Sequence, residues 1–305
     1  MADLSTSICG MKLRSPLILA SGITDTTGAS LLRAIRNGAG AAIIKSVSVE
    51  PREGHKGHVV QEFDDLSMIN AMGLPNQGIK HAIDELIEAQ KRTDAPLIAN
   101  IYAGTVEDFG LLAREISKAK PAMIEVNISC PNVHDEFGTP FSALPEAAAK
   151  VTKEVKKNTS IPISIKLSPN TIAISQVAKA VEKAGADCIT CINTLAGMLI
   201  DIDTAVPILS NLSGGISGKA LKPVAVKAVY DCHEVVKIPI IGTGGVLTGR
   251  DAIEHIMAGA GAVGGGTALF YRGQEAFSLI NAEMKEEMKR LGYKSIKEMI
   301  GLAHH

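Results

Sequence analysis

Short, near-continuous apolar runs alternate along this chain with longer segments whose apolar positions recur every three or four residues. The runs cover residues 16–20, 41–44, 96–99, 123–128, 162–167, 187–192, 238–241 and 262–266. Apolar runs this short predict strands buried on both faces. Among the segments between them, 31–37, 79–91, 107–118, 147–157, 172–183 and 250–257 carry helical periodicity. Strands alternating with amphipathic helices imply a parallel sheet sheathed by helices. Eight such units, with no linker and no shift in composition, predict an α/β chain of one domain, residues 1–305, folded as a (β/α)8 TIM barrel. The competing open, doubly wound sheet lacks its mark, because no GxGxxG follows the first run.

In such a barrel the C-terminal ends of the strands carry the chemistry. Those ends read Ser21-Gly22, Lys45-Ser46, Asn100, Asn127 with Cys130, Lys166, Asn193-Thr194, Gly244-Gly245 and Gly266-Thr267. Turn-forming residues are ordinary there. The lysines are not, since an ammonium placed directly after apolar strand residues is costly without a partner. Lys45 and Lys166 therefore point to an anionic ligand in the barrel mouth. From Asn127 to Asn132 the chain delivers an amide, a hydroxyl, a thiol and a second amide within six residues. A thiol beside hydrogen-bonding amides suits proton or nucleophile chemistry on a small polar substrate. A buried structural cysteine is the alternative reading of Cys130.

Gly242-Thr-Gly-Gly245 and Gly264-Gly-Gly-Thr267 each set glycine between a strand and a helix. Exposed N–H groups at such a turn cradle a phosphate, and the seventh and eighth units are the phosphate position of these barrels. Gly214-Gly-Ile-Ser-Gly218 reads as a further glycine-rich loop beside them.

Composition narrows the partners. With 46% hydrophobic residues the chain can bury a large core. A net charge of -1, a pI near 6.7 and the absence of Trp argue against a nucleic-acid surface. No apolar run approaches the roughly 20 residues that span a bilayer, and the start, Met1-Ala-Asp-Leu-Ser-Thr, lacks the regions of a signal peptide. Five scattered cysteines fit a reduced, cytoplasmic setting. Cys188 and Cys191 have CxxC spacing, but residues three apart on a strand face opposite sides, so they read as core thiols. His55 and His58 read as solvated loop residues, and no metal site is expected. Residues 285–290 read as the solvated face of a C-terminal helix.

At these motifs the chain resembles the dihydroorotate dehydrogenases, in particular the soluble enzymes with a cysteine base. The similarity runs from 13 to 299 through several blocks in order. They are Asn70-Ala-Met-Gly-Leu-Pro-Asn76, Asn127-Ile-Ser-Cys-Pro-Asn132, Lys166-Leu-Ser-Pro-Asn170, Ile192-Asn-Thr194, Gly214-Gly-Ile-Ser-Gly218 with Lys222-Pro-Val, and Gly242-Thr-Gly-Gly245. The resemblance implies an FMN-containing barrel that oxidises (S)-dihydroorotate to orotate on the route to UMP. Cys130 would take the proton from C5 of the substrate ring while the C6 hydride passes to flavin N5. Lys45 would lie between flavin and substrate as the second catalytic residue. Asn70, Asn127, Asn132, Asn193 and Thr194, with the Ala71, Met72, Gly73 and Leu74 segment, would bind the substrate. Ser21, Lys45, Ser46, Asn100, Asn127, Lys166, Ile192 and Gly218 would line FMN, its phosphate resting on Gly244, Gly245, Gly266 and Thr267.

The residue chemistry agrees. A free thiol titrates near pH 8.5, so a cysteine base needs only modest tuning. Amide side chains offer both donor and acceptor to a ring of alternating N–H and C=O groups. The membrane-bound class of the family has an N-terminal apolar extension and a serine base, and this chain has neither. Lys222-Pro-Val-Ala looks like the NAD-linked class rather than the fumarate-linked one. That class implies a homodimer joined to an FAD and iron–sulfur subunit, a heterotetramer. This chain has no cysteine cluster for such a centre. The alternatives are the fumarate-linked class, a flavin-dependent dihydropyrimidine dehydrogenase or dihydrouridine synthase, a Schiff-base aldolase on Lys166, and a subunit that only binds flavin. Two departures stand out. Residues 133–141 lack the family's glycine pair and basic residue, and Gly264-Gly265 replace bulkier residues, which predicts a looser eighth strand.

Overall fold

The computed structural model describes residues 2–129 and 141–304. Eight parallel strands close into a barrel: β1 (Leu17–Leu19), β2 (Ala41–Ile43), β3 (Leu97–Ile101), β4 (Met123–Asn127), β5 (Ile163–Lys166), β6 (Cys188–Cys191), β7 (Ile240–Thr243) and β8 (Ala262–Gly265). Each lies within a predicted apolar run or overshoots it by two residues. Helices α1 (Gly28–Arg36), α2 (Gly78–Gln90), α3 (Val106–Ile116), α4 (Pro145–Asn158), α5 (Ile174–Lys183), α6 (Lys222–His233) and α7 (Gly249–Met257) follow β1 to β7 in turn. Strand β8 leads into a short α8 (Thr267–Arg272) and then α9 (Ala276–Leu291). No helix among the described residues is long and apolar enough to cross a membrane.

Alternation along each strand sorts the side chains into two environments. Leu17, Leu19, Ile124, Val126, Ile163, Ile165 and Ile189 face outward and pack beneath the helices. On α3, Phe109, Leu112, Ala113 and Ile116 form the matching apolar stripe, each large side chain contributing about 2 kcal/mol by leaving water. The inward positions form a floor of Ile18, Ile43, Ile98, Met123, Cys188, Ile241 and Ala262. One inward step toward the C-terminal ends, the same strands turn polar: Lys45, Asn100, Glu125, Thr190 and Thr243. The barrel is thus apolar at its base and polar at its mouth. Thr105 starts α3 by accepting from the Asp108 N–H at 3.1 Å, and Thr248 with Asp251 forms a capping box at α7.

Two insertions reshape the mouth. In the β2–α2 connection Val60–Phe63 pairs antiparallel with Ser67–Asn70, which pairs in turn with Gly214–Gly218 of the β6–α6 connection, itself paired with Leu195–Gly197. Gly214–Gly218, expected as a loop, is therefore a strand, its register matching Gly215 with Asn70. The looser eighth strand is not found either. Gly264 and Gly265 sit against Thr243 and the Phe277 ring, where added side chains would collide, so the glycines permit close packing.

Candidate active site

The barrel ends and the inserted sheet enclose a cavity of about 550 Å³. Most of the residues named from the sequence line it: Ser21, Lys45, Ser46, Asn70, Ala71, Met72, Gly73, Leu74, Asn127, Lys166, Ile192, Asn193, Thr194, Gly218, Gly244, Gly245, Gly266 and Thr267. Asn100 lies one inward layer deeper, level with Glu125, and is fully buried. Cys130 and Asn132 fall outside the described residues, as does most of the 133–141 loop.

The two lysines differ in surroundings. Lys166 Nζ lies 3.7 Å from Glu125 Oε1, with the carboxylate fully buried. Lys166 is therefore not the unpartnered cation that its position suggested. Lys45, 8% exposed, makes no contact ion pair among the described residues, and the buried Asp25 carboxyl acts on it only at longer range. Its N–H donates to the Asp25 carbonyl at 3.0 Å. Burial pushes the Asp25 carboxyl up, against the pull of the Lys45 charge and of the Gly22 N–H, which donates to it at 2.7 Å.

The amides are held in one chain. Ser129 Oγ donates to Asn127 Oδ1 at 2.8 Å and accepts from Asn193 Nδ2 at 2.7 Å. Asn127 Nδ2 reaches Ser46 Oγ at 3.4 Å, and Ser46 meets Ser21 at 3.3 Å. Asn70 Nδ2 donates to the Gly215 carbonyl across the inserted sheet at 3.4 Å. Asn170 ties down the strand after Asn193, donating to the Thr194 carbonyl at 3.1 Å and accepting from the Ala196 N–H at 2.8 Å. The Met72–Leu74 segment is clamped from outside. Arg52 Nε donates to the Gly73 carbonyl at 2.6 Å, and His55 Nδ1 to that of Ala71 at 3.0 Å. His58 is exposed as expected, but His55 is half-buried and belongs to this clamp.

The glycine turn after β7 needs glycine. Gly244 and Gly245 have φ of +133° and +70°, and a Cβ on Gly245 would come within 2.7 Å of the Lys222 backbone. The Gly245 and Val246 N–H groups have no acceptor among the described residues, and the first N–H groups of α8 are free by helix geometry. His255 of α7 holds this turn, its Nε2–H donating to the Gly244 carbonyl at 3.0 Å.

Cys188 and Cys191 point to opposite sides of β6, both fully buried. Cys188 belongs to the barrel floor beside Cys9, and burial pushes its thiol well above the ordinary range. Cys191 contacts Cys232 under the helices, and that contact raises its thiol likewise. No cluster of metal-ligating side chains occurs among the described residues.

The sequence pattern assigns no role to Glu125, Ser129, His255 or Arg52. Glu125 carried one signal, an acid on the inward face of an apolar strand. His255 carried another, a histidine on the buried face of a helix.

A closed (β/α)8 barrel with a polar, cationic cavity at its C-terminal end and free N–H donors on its last two units defines a barrel enzyme. A family model described as dihydroorotate dehydrogenase matches residues 3–288. A Methanosarcina mazei protein named dihydroorotate dehydrogenase B (NAD(+)), catalytic subunit, is 44% identical over 299 residues, 98% of this chain and 94% of that protein. Proteins of the same name from Thermoplasma acidophilum and Pyrococcus abyssi are each 42% identical, over 99% and 98% of this chain and 99% of their own lengths. The chain belongs to the dihydroorotate dehydrogenase family.

Proposed function

We propose that this chain oxidises (S)-dihydroorotate to orotate on the route to UMP, as one FMN-binding barrel domain over residues 1–305, with Cys130 as base. The observation that carries this reading is convergence. Within a chain of this family, every described residue of the expected set either lines one cavity or, for Asn100, lies directly beneath it. The donor set also suits FMN. Thr243, which lines the cavity, has its Oγ1 buried without a partner among the described residues, as an atom awaiting a polar ring would be. The Gly244–Gly245 turn and the start of α8 offer N–H donors to one monophosphate. FMN, when bound, supplies the acceptor for the hydride leaving C6.

The protein's own groups do the rest. Cys130 takes the C5 proton, which requires its thiolate form. The Lys45 ammonium stabilises negative charge that develops in the cavity. Asn70, Asn127, Asn132 and Asn193 match the donor and acceptor pattern of the pyrimidine ring, and the clamped Met72–Leu74 backbone holds its carboxylate. The names of the relatives support a catalytic subunit whose electrons reach NAD through a partner. The arrangement proposed is a cytoplasmic homodimer joined to an FAD and iron–sulfur subunit, a heterotetramer. Chromatography of the heat-released flavin should give FMN; FAD, or no flavin after reconstitution, would overturn the reading. Cys130→Ala should keep FMN and slow dihydroorotate oxidation by about 10² to 10⁴. A variant that still oxidised dihydroorotate at the wild-type rate would remove Cys130 from the chemistry.

A further inference from the structure

Glu125 is fully buried inside the barrel, and nothing in the proposed chemistry uses it. Its position follows from strand alternation. It is two residues before Asn127 on β4, so both point inward, and the register sets Asn127 beside Lys166 on β5. Glu125 Oε1 accepts from Asn100 Nδ2 at 2.6 Å and lies 3.7 Å from Lys166 Nζ. Its Oε2 accepts from Thr190 Oγ1 at 2.8 Å. Thr190 uses its one proton there, so Ser164 donates to Thr190 at 2.9 Å. Four strands, β3 to β6, thus contribute to holding one carboxylate below the cavity floor. A buried carboxylate is costly unless partnered this fully.

We infer that Glu125 is a positioning residue that fixes the Lys166 ammonium against the cavity floor and balances its charge, leaving Lys45, which has no contact ion pair among the described residues, as the lysine whose charge faces the flavin. The inference rests on the FMN reading above. The lysines then have separate tasks: Lys166 presents an oriented N–H donor, and Lys45 presents charge. The separation has a consequence for electron flow. Two unbalanced cations beside a flavin would stabilise its anionic reduced form twice over. Electrons would then be held too tightly to pass to an acceptor of low potential.

Glu125→Gln removes the charge while keeping the volume and an oxygen for Thr190. In the FMN-loaded protein this variant should favour the reduced flavin about tenfold, a rise of about 30 mV for the two-electron couple. It should also bind sulfite at the flavin about tenfold more tightly. Glu125→Asp, which keeps the charge, should stay near the wild type. In a Lys166→Met background Glu125→Gln should add little, because a buried carboxyl that has lost its ammonium takes up a proton and carries no charge to remove. An unshifted potential and sulfite affinity in Glu125→Gln, or the same shift without Lys166, would overturn the proposal. A second measurement needs no flavin. Competitive acetylation of Lys166 by acetic anhydride should become several-fold faster in flavin-free Glu125→Gln, since the ammonium has lost its carboxylate. Unchanged labelling would also overturn the proposal, whereas a wild type that takes up no FMN overturns the cofactor reading alone. Should Glu125→Gln fail to fold, Thr190→Val removes one hydrogen bond to the carboxylate. It should move potential and labelling in the same direction, and no movement in either would count against the proposal.

Discussion

His255 Nε2 donates to the Gly244 carbonyl at 3.0 Å, tying helix α7 to the glycine turn after β7. The imidazole is fully buried, and its Nδ1 has no partner among the described residues. Burial pushes its pKa below the ordinary 6.5, although the Gly244 carbonyl pulls the other way. The neutral ring is thus the form that the fold accepts, and the turn that would hold a phosphate leans on it.

The sign of the pH effect follows from that depression. Below 6.5 the unfolded chain takes up a proton at this histidine that the folded chain resists. The stabilisation is complete above that value and is lost as the pH falls through it. Melting temperature and FMN retention should therefore both decline from pH 7 to pH 5. His255→Gln keeps an N–H donor but cannot titrate, so its decline should be shallower. His233, also held below its ordinary value by burial, contributes equally to both proteins and cancels in the comparison. Parallel curves for the two proteins would show that His255 is not the group responsible.

Ser129 makes a prediction about substrate rather than cofactor. Its hydroxyl bridges Asn127 and Asn193, bonded to them at 2.8 and 2.7 Å. Ser129→Ala removes the partner of Asn193 Nδ2, leaving the amide held only by the Thr194 N–H on its Oδ1 at 2.8 Å, and costs the fold about 1–3 kcal/mol for the lost partner. The KM for dihydroorotate should rise by about tenfold while kcat changes less, the pattern of lost ground-state binding. FMN content should not change. Steady-state kinetics with a flavin assay tests this, and a fall in kcat at unchanged KM would refute it.

The barrel was legible because strands buried on both faces leave apolar runs that turns and helices interrupt. The cavity was legible because strand ends must face one mouth once the barrel closes. The inserted sheet was not. Val60–Phe63 has only one covered face, its residues alternating between exposed and half-buried. Gly214–Gly218 carries too few side chains to show any alternation, so glycine content imitated a loop. The partner of Lys166 was hidden for a different reason. Glu125 and Lys166 are far apart in sequence, and only the β4–β5 register sets Asn127 beside Lys166 with Glu125 one layer below. His255 and Gly244 meet likewise only through the fold. Cys188 and Cys191 were legible in full, since opposite faces follow from alternation alone.

The last prediction concerns where the electrons go. Two glycine turns on the seventh and eighth units line the cavity and would offer one phosphate position, and no metal-ligating cluster exists among the described residues. A flavin in this cavity would sit under the inserted sheet, whose strands line the same space as the barrel ends. An acceptor as large as NAD needs a second site, and relatives at 42–44% identity are named as catalytic subunits of an NAD(+) enzyme. The purified chain, loaded with FMN and given dihydroorotate, should therefore reduce an artificial dye but reduce NAD only at the background rate. Adding a subunit that carries FAD and an iron–sulfur cluster should restore NAD reduction. Rapid NAD reduction by the chain alone would refute the need for a partner. Rapid reduction of fumarate would move the protein to the fumarate-linked class, and an absorbance assay with the three acceptors in parallel separates these outcomes.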